Sequence, residues 1–147
     1  TFILSSVNVY ISFKNRKNSL RESLYKEQLS FISKLNSEFY NLHSDLSKLE
    51  KSQNLQLDTK DKIEIIFGVM FSNTHISSDV ILTSATNTLN SALDFLNNLN
   101  FENQRTVNEK FNVYFENYKN LRTVLRNELG VKSLSEENQK LFKTIGK

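Results

Sequence analysis

A chain of 147 residues in which 38% of side chains are hydrophobic and 24% charged can bury one core and is too apolar for a disordered tail. It contains no proline, no cysteine and only three glycines, so disulfide staples, cysteine nucleophiles and thiolate zinc sites are excluded. A sheet protein of this length would need more turn punctuation, and the expectation is therefore all-α.

The formal net charge of +3 is modest but unevenly placed. Lys14, Arg16, Lys17 and Arg21 follow one another without an acidic residue between them, directly after the weakly apolar run from Thr1 to Phe13. That run is shorter than the roughly 20 apolar residues needed to cross a bilayer, and Ser5, Ser6, Asn8 and Ser12 interrupt it. With its basic flank it reads as the last turns of a transmembrane helix followed by a positive-inside stop. The competing readings are an amphipathic helix or a strand-like arm packed on the domain. A secretory signal would place its charges first. The chain begins without Met, which suits a fragment or processed product. Residues 1–19 are accordingly set apart as an N-terminal segment, and 20–147 as a helical bundle domain.

From Phe13 to about Lys51 one uninterrupted helix is expected. Leu20, Leu24, Gln28, Phe31, Leu35, Phe39, Leu42, Leu46 and Leu49 recur at steps of three and four, which holds one stripe on one side for many turns. Tyr25, Leu29 and Ile32 form a thinner stripe beside it. At about 1.5 Å per residue such a rod is ~55 to 60 Å long, more than the diameter of a domain this size, so one end should project.

After a polar connection at Ser52 to Gln56, Asp58 or Thr59 can cap a second helix. Its apolar side holds Ile63, Ile66, Phe67, Met70 and Phe71. Glu64 is the sole charge from Ile63 to Phe71, so this window is expected to be buried on more than one face, with Gly68 admitting a close neighbour. Asn73 to Ser78 break the pattern, and Thr74, Ser77 or Ser78 can cap a third helix with Asp79 in its first turn. There Leu82, Ala85, Leu89, Ala92, Leu96 and Leu99 form a seam whose alternating Ala leaves shallow holes, and Ser84, Thr88 and Ser91 keep its surroundings small. Asn97 to Asn103 mark the next turn. The fourth helix carries Val107, Phe111, Tyr114, Tyr118, Leu121 and Leu125, and Gly130 caps its end with Val131 folding back. Ser133 or Ser135 can start a short final helix through Leu141, Phe142 and Ile145 that closes one end. The expected fold is an antiparallel four-helix bundle with a long N-terminal helix and a short C-terminal capping helix.

Reactive chemistry is sparse. His75 and Asp79 are spaced to share a helix face, but one pair falls short of a metal's ligand set, and the plain alternative is a histidine at a helix start near a capping carboxylate. Paired Glu-x-x-His motifs, a glycine-rich phosphate loop and a nucleophile elbow are all missing, so no catalytic residue, metal site or cofactor is assigned. Glu22, Glu27, Glu38, Asp45 and Glu50 fall among Lys and Ser on outward positions, where solvation explains them. Arg105, Lys110, Lys119, Arg122 and Arg126 alternate with Glu109, Glu116 and Glu128, a mixture that marks a solvent-facing helix rather than a phosphate-binding stripe. The residues left as contacts for phospholipid or phosphate are Lys14, Arg16, Lys17 and Arg21.

The stretch from Ser19 to Tyr40, SLRESLYKEQLSFISKLNSEFY, and LRNELGVKSLSEE from Leu125 to Glu137 resemble a loose group of bacterial proteins with one N-terminal membrane segment and a cytoplasmic helical domain. Arg21, Tyr25, Gln28 and Leu29, with Arg126, Glu128, Leu129, Gly130 and Leu134, carry the likeness over about a third of the chain. It implies membrane tethering and a bundle, and no catalytic residue. The chain departs from the group's pattern in holding only part of a membrane span. The function expected is a non-enzymatic interaction or scaffold module on the cytoplasmic face of a bacterial membrane, meeting a protein partner or a second copy through coiled-coil-like seams. The alternative is a soluble cytoplasmic helical module that captures nucleic acid or an acidic protein.

Overall fold

The computed structural model describes residues 2–49, 56–99 and 103–130, which form four helices: α1 Phe2–Leu49, α2 Gln56–Ser72, α3 Asp79–Asn97 and α4 Gln104–Glu128. No strand occurs among the described residues. α1 is continuous over 48 residues, about 72 Å, with neither Gly nor Pro to end it. The strand-like arm is therefore not formed at Phe2 to Phe13, and the helix begins earlier than the seam alone indicates.

Successive helices run in opposite directions. Between α3 and α4, Lys110 pairs with Asp94 at 2.8 Å and the Thr88 hydroxyl reaches the Asn117 carbonyl at 3.2 Å, so one residue number falls as the other rises. Lys62 meets Asp45 between α1 and α2, while Ile76 beyond the end of α2 lies beside Phe31 on α1. α2 also packs on α3, and α4 returns to α1 through His43, Tyr114 and Tyr118. The result is an antiparallel four-helix bundle.

Its core is one cluster. α1 contributes Phe31, Ile32, Leu35, Phe39, Leu42, Leu46 and Leu49; Ile63, Ile66, Val69 and Met70 come from α2. α3 adds Ile81, Ala85, Leu89, Ala92, Phe95 and Leu96, and α4 adds Val107, Tyr114, Tyr118, Leu121 and Leu125. The small residues of α3 do as their size suggests: Ser84, Thr88 and Ser91 are buried, and Thr88 satisfies its hydroxyl on the Ser84 and Asn117 carbonyls.

Capping follows the local chemistry at three ends. The Ser78 hydroxyl accepts the Ile81 N–H at 3.4 Å, with Asp79 opening α3, and the Asn103 side chain accepts the Thr106 N–H at 3.3 Å. Gly130 takes a φ of 67° after α4, a conformation that costs glycine little.

α2 departs from expectation in three ways. It starts at Gln56, so Asp58 and Thr59 stand in its first turn rather than before it, and Thr59 is buried. Ile65 and Phe71 are exposed, the latter at 74%, because α2 is covered along one side only. A Cβ built on Gly68 would meet nothing within 4 Å, so no neighbour is admitted there. The first-helix end near Lys51, the connection from Ser52, Val131 and the C-terminal helix through Ile145 lie outside the described residues.

Candidate functional site

The most distinctive surface is the first half of α1. Every described side chain from Tyr10 to Glu27 is exposed, and burial begins only at Gln28 and Leu29. Phe13 is 74%, Leu20 63% and Leu24 54% accessible. At roughly 100° per residue these three share the side of the helix that holds Phe31, Leu35, Leu42 and Leu49. From Phe13 to Leu49 one side of the helix is thus largely apolar, covered by α2 and α4 from Phe31 onward and bare at Phe13, Leu20 and Leu24. Leu20 and Leu24 belong to the stripe by spacing but not to the core.

All four expected phosphate contacts lie on this projecting half. On the same helical geometry Lys14 and Arg21 lie along one flank of the bare stripe within ~60° of Lys17, which stands at the stripe's edge in line with Leu35, and Arg16 borders the other flank. No described carboxylate pairs with any of the four, whereas the nearby Lys26 is held by Glu22 at 2.8 Å. Their charge is therefore uncompensated by the chain's described residues.

At the base of the projecting half, where the α2–α3 turn abuts α1, lies an open cleft of about 390 Å³. Phe31 and Ile76 supply its apolar part, and Glu27, Lys34 and His75 its polar rim. His75 is therefore on the turn, not on a helix face with Asp79, which opens α3. No group of three or more His, Asp or Glu is placed to hold a metal ion among the described residues.

A second cluster, which spacing alone did not reveal, surrounds His43. Its ring stacks on Tyr118 at 4.3 Å and on Phe115 at 5.5 Å, and the Tyr114 hydroxyl sits 3.4 Å from Nδ1. Burial holds the His43 pKa below its ordinary value, and the nearby Arg122 cation lowers it further. Burial likewise pushes the Tyr114 hydroxyl up, assisted by the adjacent Tyr118. A neutral imidazole among rings is a packing arrangement, and the one signal for it in the sequence is that His43 adjoins Leu42 on a helix facing an aromatic α4.

Several of the remaining charges form ion pairs. Arg105 pairs with Glu109 at 3.0 Å, and Lys119 lies against Glu116 and over the Phe115 ring. Asp45 is a correction: its side chain is largely covered and bonded to Lys62, with Lys48 at 3.7 Å, rather than solvated. Glu38 is half-buried, and Glu50 lies outside the described residues. Tyr114 and Tyr118 are in the core, not presented for base stacking.

No helix among the described residues is long and apolar enough to cross a membrane. Comparison of the chain with models of known families, with curated proteins and with solved structures finds no match. What the molecule defines on its own is a class: an antiparallel helical bundle that holds one helix half outside its body.

Proposed function

We propose that the protein is a non-enzymatic interaction or scaffold module, in which the bundle grips the second half of α1 so that the first half is presented as a stiff docking element. The observation that supports this is the single stripe in two conditions, covered from Phe31 onward and bare through Phe13, Leu20 and Leu24. Bare apolar side chains in a row, beside cations that no described carboxylate pairs with, are the composition of a surface awaiting a partner. A photo-reactive residue placed at Leu20 or Leu24 in cells should yield a discrete adduct, and one at exposed Asn87 on α3 should not. Absence of any adduct from both α1 positions would overturn the reading.

A second reading concerns location, and the order of residues favours it. An apolar N-terminal run followed by Lys14, Arg16, Lys17 and Arg21 suits the cytoplasmic face of a bacterial membrane, with the cations on anionic headgroups. Sedimentation of the full-length protein with membranes at low salt is the expected result; recovery in the soluble fraction would remove that location. The same cations would serve a soluble module that binds nucleic acid, for which retention on heparin should weaken steeply with salt.

A further inference from the structure

We infer that the bare face of α1 takes an α-helix of a protein partner whose apolar seam is flanked by Asp or Glu, stacked end-on against the bundle. This rests on the docking role proposed above and identifies the occupant. Three observations select it.

The first is continuity. From Phe31 onward the stripe is covered by helices, and the bare part presents the same periodicity on the same side of the same helix. A helix laid on Leu20 and Leu24 therefore continues an interface the molecule already makes.

The second is charge. Lys14 and Arg21 on one flank and Arg16 on the other occupy the positions that, in paired helices, choose the partner by opposite charge, and Lys17 adds a cation at the edge of the seam itself. Between Tyr10 and Glu27 five cations stand against two carboxylates, Glu22 and Glu27. Two copies of this helix side by side would be about 8–10 Å apart, within a Debye length, and would repel. An acidic flank turns the same field into attraction.

The third is the cleft of about 390 Å³ at the base, where half-buried Ile76 over the covered Phe31 offers an apolar seat for a side chain at the end of the incoming helix. A seam that ends on such a seat has a defined register rather than a sliding one.

The test uses the full chain and a designed probe: a helical peptide of about three heptads with Leu at the a and d positions and Glu at e and g, beside a twin with Lys in place of every Glu. The Glu peptide should bind, and the Lys twin should bind about tenfold more weakly or worse. The L20N/L24N double variant, altered only where the helix is already exposed, should lose the Glu peptide while keeping its circular dichroism. Reversing charge with K17E/R21E should invert the preference. Equal affinity for the two peptides, or binding indifferent to L20N/L24N, would overturn the inference. So would a dimer of the full chain in sedimentation equilibrium. Flotation with phosphatidylserine-containing vesicles without capture of the Glu peptide would also overturn it, in favour of lipid. A Leu24 photo-adduct formed with lipid, with a second copy or within one chain would leave the docking role standing and remove the acidic helix. No adduct at all would remove both.

Discussion

The two halves of α1 carry one periodic pattern and meet different fates. Phe31, Leu35, Leu42 and Leu49 are buried, whereas Phe13, Leu20 and Leu24, spaced in the same way, are exposed. The cause is length. α1 has 48 residues, but α2 has 17, α3 19 and α4 25, so the shorter helices run out before α1 does. Periodicity states which side of a helix is apolar; the length of its neighbours states how much of that side is covered. The sharpest break of this comparison is a matched pair of truncations. Leu42→Ala should cost about 3–4 kcal/mol, through lost transfer energy and the cavity left behind, and Leu24→Ala of the isolated chain should stay within ~0.5 kcal/mol. Urea unfolding at neutral pH measures both. Equal losses would mean that the projecting half is covered after all.

A second difference separates the halves by pH. The covered half holds His43, half-buried against Tyr118 and Phe115, and the projecting half contains no histidine. The His43 pKa lies below its unfolded value of 6.5, first through burial and then through Arg122. The unfolded chain therefore takes up this proton more readily than the folded one. The stability due to a neutral His43 is fully present above the unfolded pKa and is lost as pH falls through the folded one. The urea midpoint should drop on acidification from pH 7.5 toward the folded pKa, and His43→Phe, which preserves the ring stack, should remove that part of the drop. An unchanged pH profile in His43→Phe would assign the sensitivity to other groups.

How much of this was legible before any coordinates depends on what each feature needs. A seam needs only its own helix, and the Ala–Leu alternation of α3 and the aromatic face of α4 emerge as expected around Ala85, Leu89, Tyr114 and Tyr118. Caps are local chemistry: Gly130 is readable outright, and Ser78 is one of three candidates beside Thr74 and Ser77. Features that need a second helix were not. The window from Ile63 to Phe71 is apolar all round, so its spacing could not say that Phe71 and Ile65 would be left in water. Asp45 looked solvated because Lys62 is 17 residues away, and His43 looked idle because Tyr114 is 71 away. For the candidate site, the basic cluster was visible and its stiffness was expected, but the cleft beside Phe31 depends on where the α2–α3 turn lands.

Gly68 turns the same lesson into a gain. It sits in mid-α2 with open space where a side chain would project, so its only effect on the covering of α1 is the backbone freedom it adds to α2. Gly68→Ala should raise stability by about 0.5–1 kcal/mol, by helix propensity alone. A loss on thermal or urea unfolding would show that some neighbour needs the empty position.

The smallest expected effects return to the two halves of α1, each of which contains an ion pair. Asp45 is mostly covered and ties the second half to Lys62 on α2, while Glu22 and Lys26 are both well exposed on one turn of the first half. Removing the Asp45 charge also leaves a partly covered hydrogen-bonding site poorly satisfied, so Asp45→Asn should cost about 1 kcal/mol. Glu22→Gln breaks a contact that solvent screens and side-chain entropy opposes, and should change stability by less than ~0.5 kcal/mol. Added salt should move neither variant's midpoint enough to reverse that order, because screening weakens the exposed pair further and reaches the covered one least. If Glu22→Gln were the costlier change, the first half of α1 would have to be held against something in solution, and its bare stripe would already be occupied.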